Sequence, residues 1–210
     1  YDFVEKGFDL AFKYRIPTMI LSDGVIGQMM EKVELGEMKP RWTEAQIREK
    51  CPWAVCGKSA DRKRNVITSL ALDAHVQEAH NIKLQAKYKE IIENEQQWST
   101  YRTEDAEYLL VGYGSMSRIG EAVVDAAREE GYKVGIVRPI TLFPFPEKPI
   151  KELLPQLKGI LTIEMSAGQM VEDVKLTANG AVPVHFYGRT GGIIPAPEEI
   201  MDALVKIIKG

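Results

Sequence analysis

The sequence has 210 residues, of which 45% are hydrophobic and 27% are charged, and its formal net charge is −3. This length and composition indicate one large or two small domains with an ordinary hydrophobic core. The slightly negative charge gives no support to a surface that binds nucleic acid or anionic membrane, and no apolar run approaches the about 20 residues that span a bilayer.

The first segment, residues 1–35, contains one predicted helix and one predicted strand. Apolar residues recur at helical spacing as far as Tyr14, and residues 16–21 are typical of a buried strand that ends in a turn at residues 22–24. A lone helix and strand bury too little surface to offset their chain entropy. Because the sequence begins at Tyr1 within this helix, without a secretion signal, we expect a fragment whose preceding α/β domain ends here.

The middle segment, residues 36–104, begins with a loop-like composition. Its cysteines, Cys51 and Cys56, are spaced unlike those of a zinc knuckle or a redox Cys-x-x-Cys pair, which predicts reduced thiols in a cytoplasmic protein. Residues 57–59 read Gly-Lys-Ser, but they lack the preceding strand and the first glycine of a phosphate-binding loop. We therefore expect neither metal nor phosphate binding in this part of the chain.

A long amphipathic helix is predicted over residues 73–102. Apolar residues recur at helical spacing from Val76 to Ile92, with charged residues between them. His75 and His80 are five positions apart and therefore face different sides of this helix, so we expect no metal site. We interpret the helix as a linker between two α/β units or as a subunit contact.

The last segment, residues 105–210, alternates predicted strands and helices. Strand, helix and strand at this length indicate right-handed crossovers between parallel strands, so we predict a three-layer α/β/α fold with a mostly parallel sheet. Gly131 is expected to end the first helix in a left-handed cap, Pro183 predicts an edge strand or a position at the start of a strand, and Leu176 is expected to face inward. The predicted strands are residues 107–114, 133–137, 159–165 and 182–187, and the predicted helices begin near residues 117, 149, 166 and 197.

Ligands of an open parallel sheet bind at the carboxyl ends of its strands. Seven residues at predicted strand ends are therefore crevice candidates: Gly112, Gly114, Ser115, Arg138, Glu164, Gln169 and Arg189. The glycine pattern lacks the third glycine of a dinucleotide site, and an arginine stands where an acid would bind the ribose, although an arginine could serve NADP. The favoured interpretation is that the glycines turn the chain and that Arg138 and Glu164 pair with each other or with a partner.

Several runs, in order along nearly the whole chain, resemble the alpha subunits of 2-oxoacid:ferredoxin oxidoreductases. Residues 8–15 and 17–24 are similar to the end of that family's pyrimidine-binding domain, and the residues that resemble the following, transketolase C-terminal-like domain are 108–115, 137–146, 164–173 and 186–192. The closest branch is the branched-chain (2-oxoisovalerate, or 3-methyl-2-oxobutanoate) enzyme, with the 2-oxoglutarate enzyme second. Residues 22–24 also resemble the start of the magnesium-diphosphate motif of thiamine enzymes, but its Asn pair is missing and a plain turn is favoured.

The resemblance implies a remnant of the pyrimidine-binding domain (1–35), a linker (36–104) and a transketolase C-terminal-like domain (105–210). The complete enzyme would convert a 2-oxoacid, CoA and oxidised ferredoxin to acyl-CoA, CO2 and reduced ferredoxin. Thiamine diphosphate and magnesium would be held by the partner beta subunit, and iron–sulfur (4Fe–4S) clusters by Cys-rich subunits that accompany a gamma subunit. The fragment alone is expected to bind no cofactor, to contain no catalytic residue or metal ligand, and to serve subunit assembly.

Two other classes of function stay open at this point. One is a regulatory α/β domain that binds a nucleotide or CoA at the strand-end crevice. The other is a subunit of a transketolase-type transferase, which shares the fold of the last domain. The transferase is disfavoured because no histidine follows the glycines of the first strand–helix turn, where a proton shuttle would need one.

Overall fold

The computed structural model describes residues 1–38, 40–55, 58 and 60–210. These residues divide into two compact units, one made of residues 1–30 with 87–210 and the other of residues 31–86. Cys56 and two residues of the Gly-Lys-Ser run, Gly57 and Ser59, lie outside the described residues, whereas Cys51 is a buried free thiol. The domain boundaries expected from the sequence stay a prediction.

The described chain contains seven α-helices and five strands. The helices are α1 (Asp2–Tyr14), α2 (Glu44–Lys50), α3 (Ala74–Asn94), α4 (Ser115–Glu129), α5 (Glu147–Leu153), α6 (Met170–Ala178) and α7 (Pro197–Lys209). The strands are β1 (Trp98–Tyr101), β2 (Tyr108–Val111), β3 (Val134–Pro139), β4 (Gly159–Glu164) and β5 (Val184–Gly188). No helix among the described residues is long and apolar enough to cross a membrane.

The strands form one sheet in the order β1-β3-β2-β4-β5. The pairs β2–β3, β2–β4 and β4–β5 are parallel, and β1 pairs antiparallel with β3. The mostly parallel sheet expected from the sequence is therefore confirmed, and β5 lies at an edge as Pro183 predicts. The central strand β2 lies between β3 and β4, the two strands that follow it along the chain, so the sheet has a topological switch point beside β2.

Helices cover both faces of the sheet, which confirms the three-layer arrangement. On one face, Leu110 and Ile136 of the sheet pack in a cluster with Val123 of α4 and Leu204 of α7. The cluster on the other face joins sheet residues, such as Leu109 and Ile160, to Ile150 of α5 and Val174 of α6. Every residue of β4 is buried, as expected for a strand with helices on both sides.

Close packing of α4 on the sheet depends on a glycine that the dinucleotide pattern does not include. A Cβ atom at Gly120 would lie 2.5 Å from Cδ1 of Ile136 and 3.0 Å from Cδ1 of Ile163, which is too close for ordinary packing. Gly120 therefore lets the helix approach the strands, three positions after Ser117, where a dinucleotide motif would end. Gly131 has a φ of 87° directly after α4, as the sequence predicts.

Three predictions about local structure are wrong. Residues 17–21 form no strand and are exposed, because none of the described strands pairs with them. The long helix ends at Asn94, and β1 occupies the residues where its last turns were expected; of its expected apolar stripe only Ile91 is buried. Leu176 of α6 is 76% exposed, because α6 begins only at Met170 and its buried face passes through Val174 and Ala178.

Candidate functional site: the crevice at the switch point

The crevice lies where β2 and β4 end and their helices begin. α4 follows β2 and packs on one face of the sheet, while α6 follows β4 and packs on the other. In open α/β sheets this divergence of helices creates a crevice at the carboxyl ends of the strands, with helix N-termini at its sides. Five of the seven candidates lie at these two strand ends: Gly112, Gly114, Ser115, Glu164 and Gln169.

The turn from β2 into α4 places a glycine in a conformation that other residues avoid. Gly114 has φ 59° and ψ −135°, and Ser115 is the first residue of the helix. A Cβ atom at Gly112 would lie 2.7 Å from Cγ1 of Ile163, so this glycine is required by close packing. Both glycines therefore have structural causes: Gly114 turns the chain, whereas Gly112 allows close packing against Ile163.

A carboxylate from the first segment occupies the N-terminus of α4. Oδ2 of Asp23 accepts hydrogen bonds from the Ser115 hydroxyl at 2.8 Å and from the Ser115 amide at 3.3 Å, across 92 residues of sequence. Oδ1 accepts from the amides of Val25 and Ile26, each at 2.9 Å. The negative charge lies at the end of α4 where the helix dipole favours an anion, so this chain supplies its own anion at the position where a phosphate would bind.

The environment of Asp23 favours the charged carboxylate. Burial raises the pKa of Asp23, but the hydrogen bonds from Ile26, Ser115 and Val25 together lower it further than burial raises it. The net result is a pKa below the ordinary value for aspartate. Asp23 is therefore ionised at neutral pH, as its position at a helix N-terminus requires.

A second carboxylate, Glu164, occupies the N-terminus of α6. Its side chain accepts four hydrogen bonds, from the Ser166 hydroxyl and from the amides of Gln169, Met170 and Val171, at 2.9 to 3.1 Å. Glu164 is only 1% exposed, so these donors replace the water that a buried charge loses. The residue thus caps the helix and has its acceptor positions filled by its own loop.

The expected pairing of Arg138 with Glu164 is wrong. Arg138 lies on β3 and Glu164 on β4, and β2 runs between these strands. Because neighbouring strands are about 4.8 Å apart, the two backbones are separated by about 10 Å. Among the described residues no side-chain hydrogen bond or ion pair to Arg138 is found. Sequence patterns show the order of the strands along the chain. Which strand ends are neighbours depends instead on the order of the strands in the sheet.

The backbone of Arg189 adjoins the crevice, because its amide donates to the Glu164 carbonyl at 3.2 Å, but its side chain bonds to α7. Its Nη1 donates to Oε2 of Glu199 at 2.8 Å, and the Tyr187 hydroxyl donates to the same oxygen at 2.8 Å. These residues line an open cavity of about 490 Å³ between the edge strand β5 and α7. The cavity does not include any of the five residues at the switch point, so the two places are distinct.

Sequence reasoning missed Asp23 and Tyr113 as members of the crevice. Tyr113 lies between the two glycines of the β2–α4 turn and is half-buried. Burial raises the pKa of Tyr113, and the negative charges of Glu164 and Asp23 raise it further. The position between two turn glycines could have identified Tyr113, whereas no local signal connects Asp23 with a helix 92 residues away.

The crevice does not suit a diphosphate or a metal in the arrangement described. Both helix N-termini that could bind a phosphate carry carboxylates of this chain, and a diphosphate would face two negative charges. In the part of the chain that the structure describes, no group of three or more His, Cys, Asp or Glu side chains could hold a metal ion.

Comparison with known proteins identifies a family model and several relatives. The model named pyruvate:ferredoxin oxidoreductase core domain II matches residues 106–200. The ketoisovalerate oxidoreductase subunit VorB of Methanothermobacter marburgensis is 43% identical over 206 residues, which is 98% of this chain and 56% of that protein. The 2-oxoglutarate synthase subunit KorA of Methanothermobacter thermautotrophicus is 29% identical over 227 residues, or 99% of this chain and 60% of that protein.

A solved structure, 2-oxoglutarate:ferredoxin oxidoreductase from Magnetococcus marinus, has a similar fold. The TM-score is 0.56 with 18% sequence identity, over 66% of this chain and 24% of that chain. At this identity the likeness supports the fold alone. The chain thus spans 56 to 60% of the length of the two relatives above.

Proposed function

We propose, on the premise that residues 106–200 match the pyruvate:ferredoxin oxidoreductase core domain II model, that this chain is part of the alpha-type subunit of a 2-oxoacid:ferredoxin oxidoreductase. The complete enzyme oxidatively decarboxylates a 2-oxoacid in the presence of CoA, forming acyl-CoA and CO2 and passing two electrons to ferredoxin. The proposed substrate is a branched-chain 2-oxoacid, 2-oxoisovalerate, with 2-oxoglutarate as the second candidate.

One observation carries this proposal. The identity to a ketoisovalerate oxidoreductase subunit is 43% along 98% of this chain, against 29% for a 2-oxoglutarate synthase subunit over a similar share. Both relatives are named as subunits, so the reaction belongs to an assembly of several chains. The difference in identity supports the branched-chain substrate over 2-oxoglutarate.

The geometry of the crevice supports a role in assembly for this piece of the subunit. The hydrogen-bond acceptors of Glu164 are used by its own loop, and Asp23 and Ser115 satisfy each other. Thiamine diphosphate, magnesium and the iron–sulfur clusters of the complete enzyme are therefore assigned to the partner subunits. This chain contributes the layered domain that those subunits contact, in the cytoplasm and without a membrane or nucleic-acid partner.

The decisive experiment assays the assembled enzyme. The intact subunit that contains this chain is produced together with the thiamine-diphosphate, gamma and iron–sulfur subunits of the proposed complex, and CoA-dependent reduction of ferredoxin is measured with each 2-oxoacid. We expect kcat/KM for 2-oxoisovalerate to exceed that for 2-oxoglutarate by about tenfold or more, a difference of about 1.4 kcal/mol in transition-state stabilisation.

Two outcomes would overturn different parts of the proposal. A preference for 2-oxoglutarate would contradict the branched-chain assignment and leave the family role intact. The absence of any 2-oxoacid-dependent reduction in an assembly that contains all its cofactors would contradict the family role itself. The matched control is the same mixture of subunits assayed without CoA. Because acyl transfer to CoA completes the proposed reaction, sustained reduction of ferredoxin should require CoA.

A further inference from the structure

We propose that residues 22–28 are a strap that Asp23 pins to the start of α4, and that the strap opens and closes the crevice at the switch point while the sheet stays folded. The strap connects the exposed residues 17–21 to the exposed residues Met29 and Met30. Its second half is the short 3-10 helix Ile26–Gln28. The inference uses only contacts within this chain and does not depend on the proposed function.

The two carboxylate oxygens of Asp23 have separate roles. Oδ1 accepts hydrogen bonds from the amides of Val25 and Ile26, while the Asp23 carbonyl accepts from the Gly27 amide at 3.0 Å. These bonds shape the strap and involve no other part of the molecule. Within the described part of the chain, Oδ2 accepts hydrogen bonds only from Ser115, so it is the atom that connects the strap to the helix.

The start of α4 is shaped to receive the strap. Ser115 is only 7% exposed and gives both its hydroxyl and its amide to Asp23. A Cβ atom at Gly114 would lie 3.3 Å from Oδ2 of Asp23 and 3.8 Å from Cδ1 of Ile26. A glycine at this position therefore leaves room for the carboxylate and for the first residue of the 3-10 helix.

Few other contacts hold the strap in place. Asp23, Val25 and Ile26 are half-buried, while the remaining strap residues are exposed. By contrast, the strands on the other side of the contact are in the core, where Leu109, Leu110 and Val111 are fully buried. Segments with few buried contacts open at a lower free energy than core strands, so the strap can detach while the sheet stays folded.

Hydrogen–deuterium exchange on the 210-residue chain tests the strap residue by residue. Ser115→Ala removes the hydroxyl bond to Oδ2 and leaves the bonds within the strap intact. We expect exchange of the Gly27, Gln28 and Met29 amides to become about tenfold faster, while the amides of β2 and β4 exchange as in the parent chain. Asp23→Asn should give the same pattern, with a larger effect on Val25 and Ile26 because their own acceptor is weakened.

Ser117→Ala is the matched control. Ser117 lies in the same turn of α4 and donates its hydroxyl to the Gly114 carbonyl at 2.8 Å, and the hydrogen bonds of the described residues include none between Ser117 and Asp23. Ser117→Ala should leave the exchange rates of the strap amides unchanged. The proposal is overturned if Ser115→Ala does not accelerate strap exchange, if Ser117→Ala accelerates it equally, or if both Ser115→Ala and Asp23→Asn accelerate the sheet and the strap to the same extent.

Discussion

The two helices that begin at the switch point both have a carboxylate at their N-terminus, but the carboxylates are held in different ways. Glu164 ends the strand that leads into α6, is 1% exposed and accepts four hydrogen bonds from the following residues. Asp23 is half-buried and reaches α4 from a segment 92 residues earlier. A local cap contributes to the stability of the sheet, whereas a distant cap fixes the position of another segment.

The largest effect is expected at the local cap. Glu164→Gln removes the charge that accepts from three amides and one hydroxyl in a buried place, and should lower the free energy of unfolding by about 3 kcal/mol. Urea unfolding measures the change. Glu172→Gln is the control, because Glu172 is exposed on the first turn of the same helix and its side chain forms an ion pair with the exposed Lys175; its cost should stay below about 1 kcal/mol. If both variants lost the same unfolding free energy, Glu164 would stabilise the fold no more than an exposed glutamate does.

An intermediate effect is expected at the turn that receives Asp23. Gly114→Ala places a Cβ at φ 59° and 3.3 Å from Oδ2 of Asp23, and we expect a cost of about 1 to 3 kcal/mol in unfolding free energy. Gly27→Ala provides the comparison within the strap, since no atom lies within 4 Å of its added Cβ. A melting temperature unchanged by Gly114→Ala would contradict the backbone conformation assigned to this turn.

A smaller effect, limited to the strap, is expected from pH. Because folding lowers the pKa of Asp23, its stabilising contribution is complete above the unfolded value of about 3.9 and is lost as pH falls through the lower folded value. Exchange in the strap, corrected for the intrinsic pH dependence of amide exchange, should therefore accelerate in the parent chain as the pH falls below about 4. Asp23→Asn should already exchange rapidly at pH 6 and change less on acidification. An acid response that is the same in both chains would exclude Asp23 as the titrating group.

The smallest effect is expected at the edge strand. Arg189 and Glu199 form an exposed pair, with side chains 37% and 39% accessible. Solvent screening leaves such pairs little net contribution, so Arg189→Ala should not measurably change the urea midpoint or the exchange of the strap. A clear loss of unfolding free energy in this variant would show that the Arg189–Glu199 pair stabilises the fold more than an exposed ion pair should.

The sequence predicts the parallel core well because its strands are short apolar runs buried on both faces. β2 and β4 follow this pattern, and the helices between them show a clear apolar face. The strand β1 was missed because Trp98–Tyr101 follows directly on a helical pattern and is only partly buried, so neither alternation nor a turn signal marks its start. The predicted strand at residues 16–21 is wrong because an apolar run becomes a strand only when another strand pairs with it.

Sequence periodicity locates the ends of the parallel strands to within three residues, but it does not predict which side chains meet there. The role of the crevice as a binding site stays a prediction. The pairing of Arg138 with Glu164 could not be judged, because strand order is a property of the folded sheet and β2 separates the two residues. The bond between Asp23 and Ser115 joins distant segments, and single-sequence patterns report only on near neighbours in the chain.

Calorimetric titration of thiamine diphosphate with magnesium into the 210-residue chain examines most directly whether this piece of the subunit leaves the cofactor to its partners. With Asp23 and Glu164 occupying both helix N-termini at the switch point, we expect no saturable heat at micromolar protein concentration. Saturable binding that requires magnesium would contradict the assignment of the cofactor to the partner subunits.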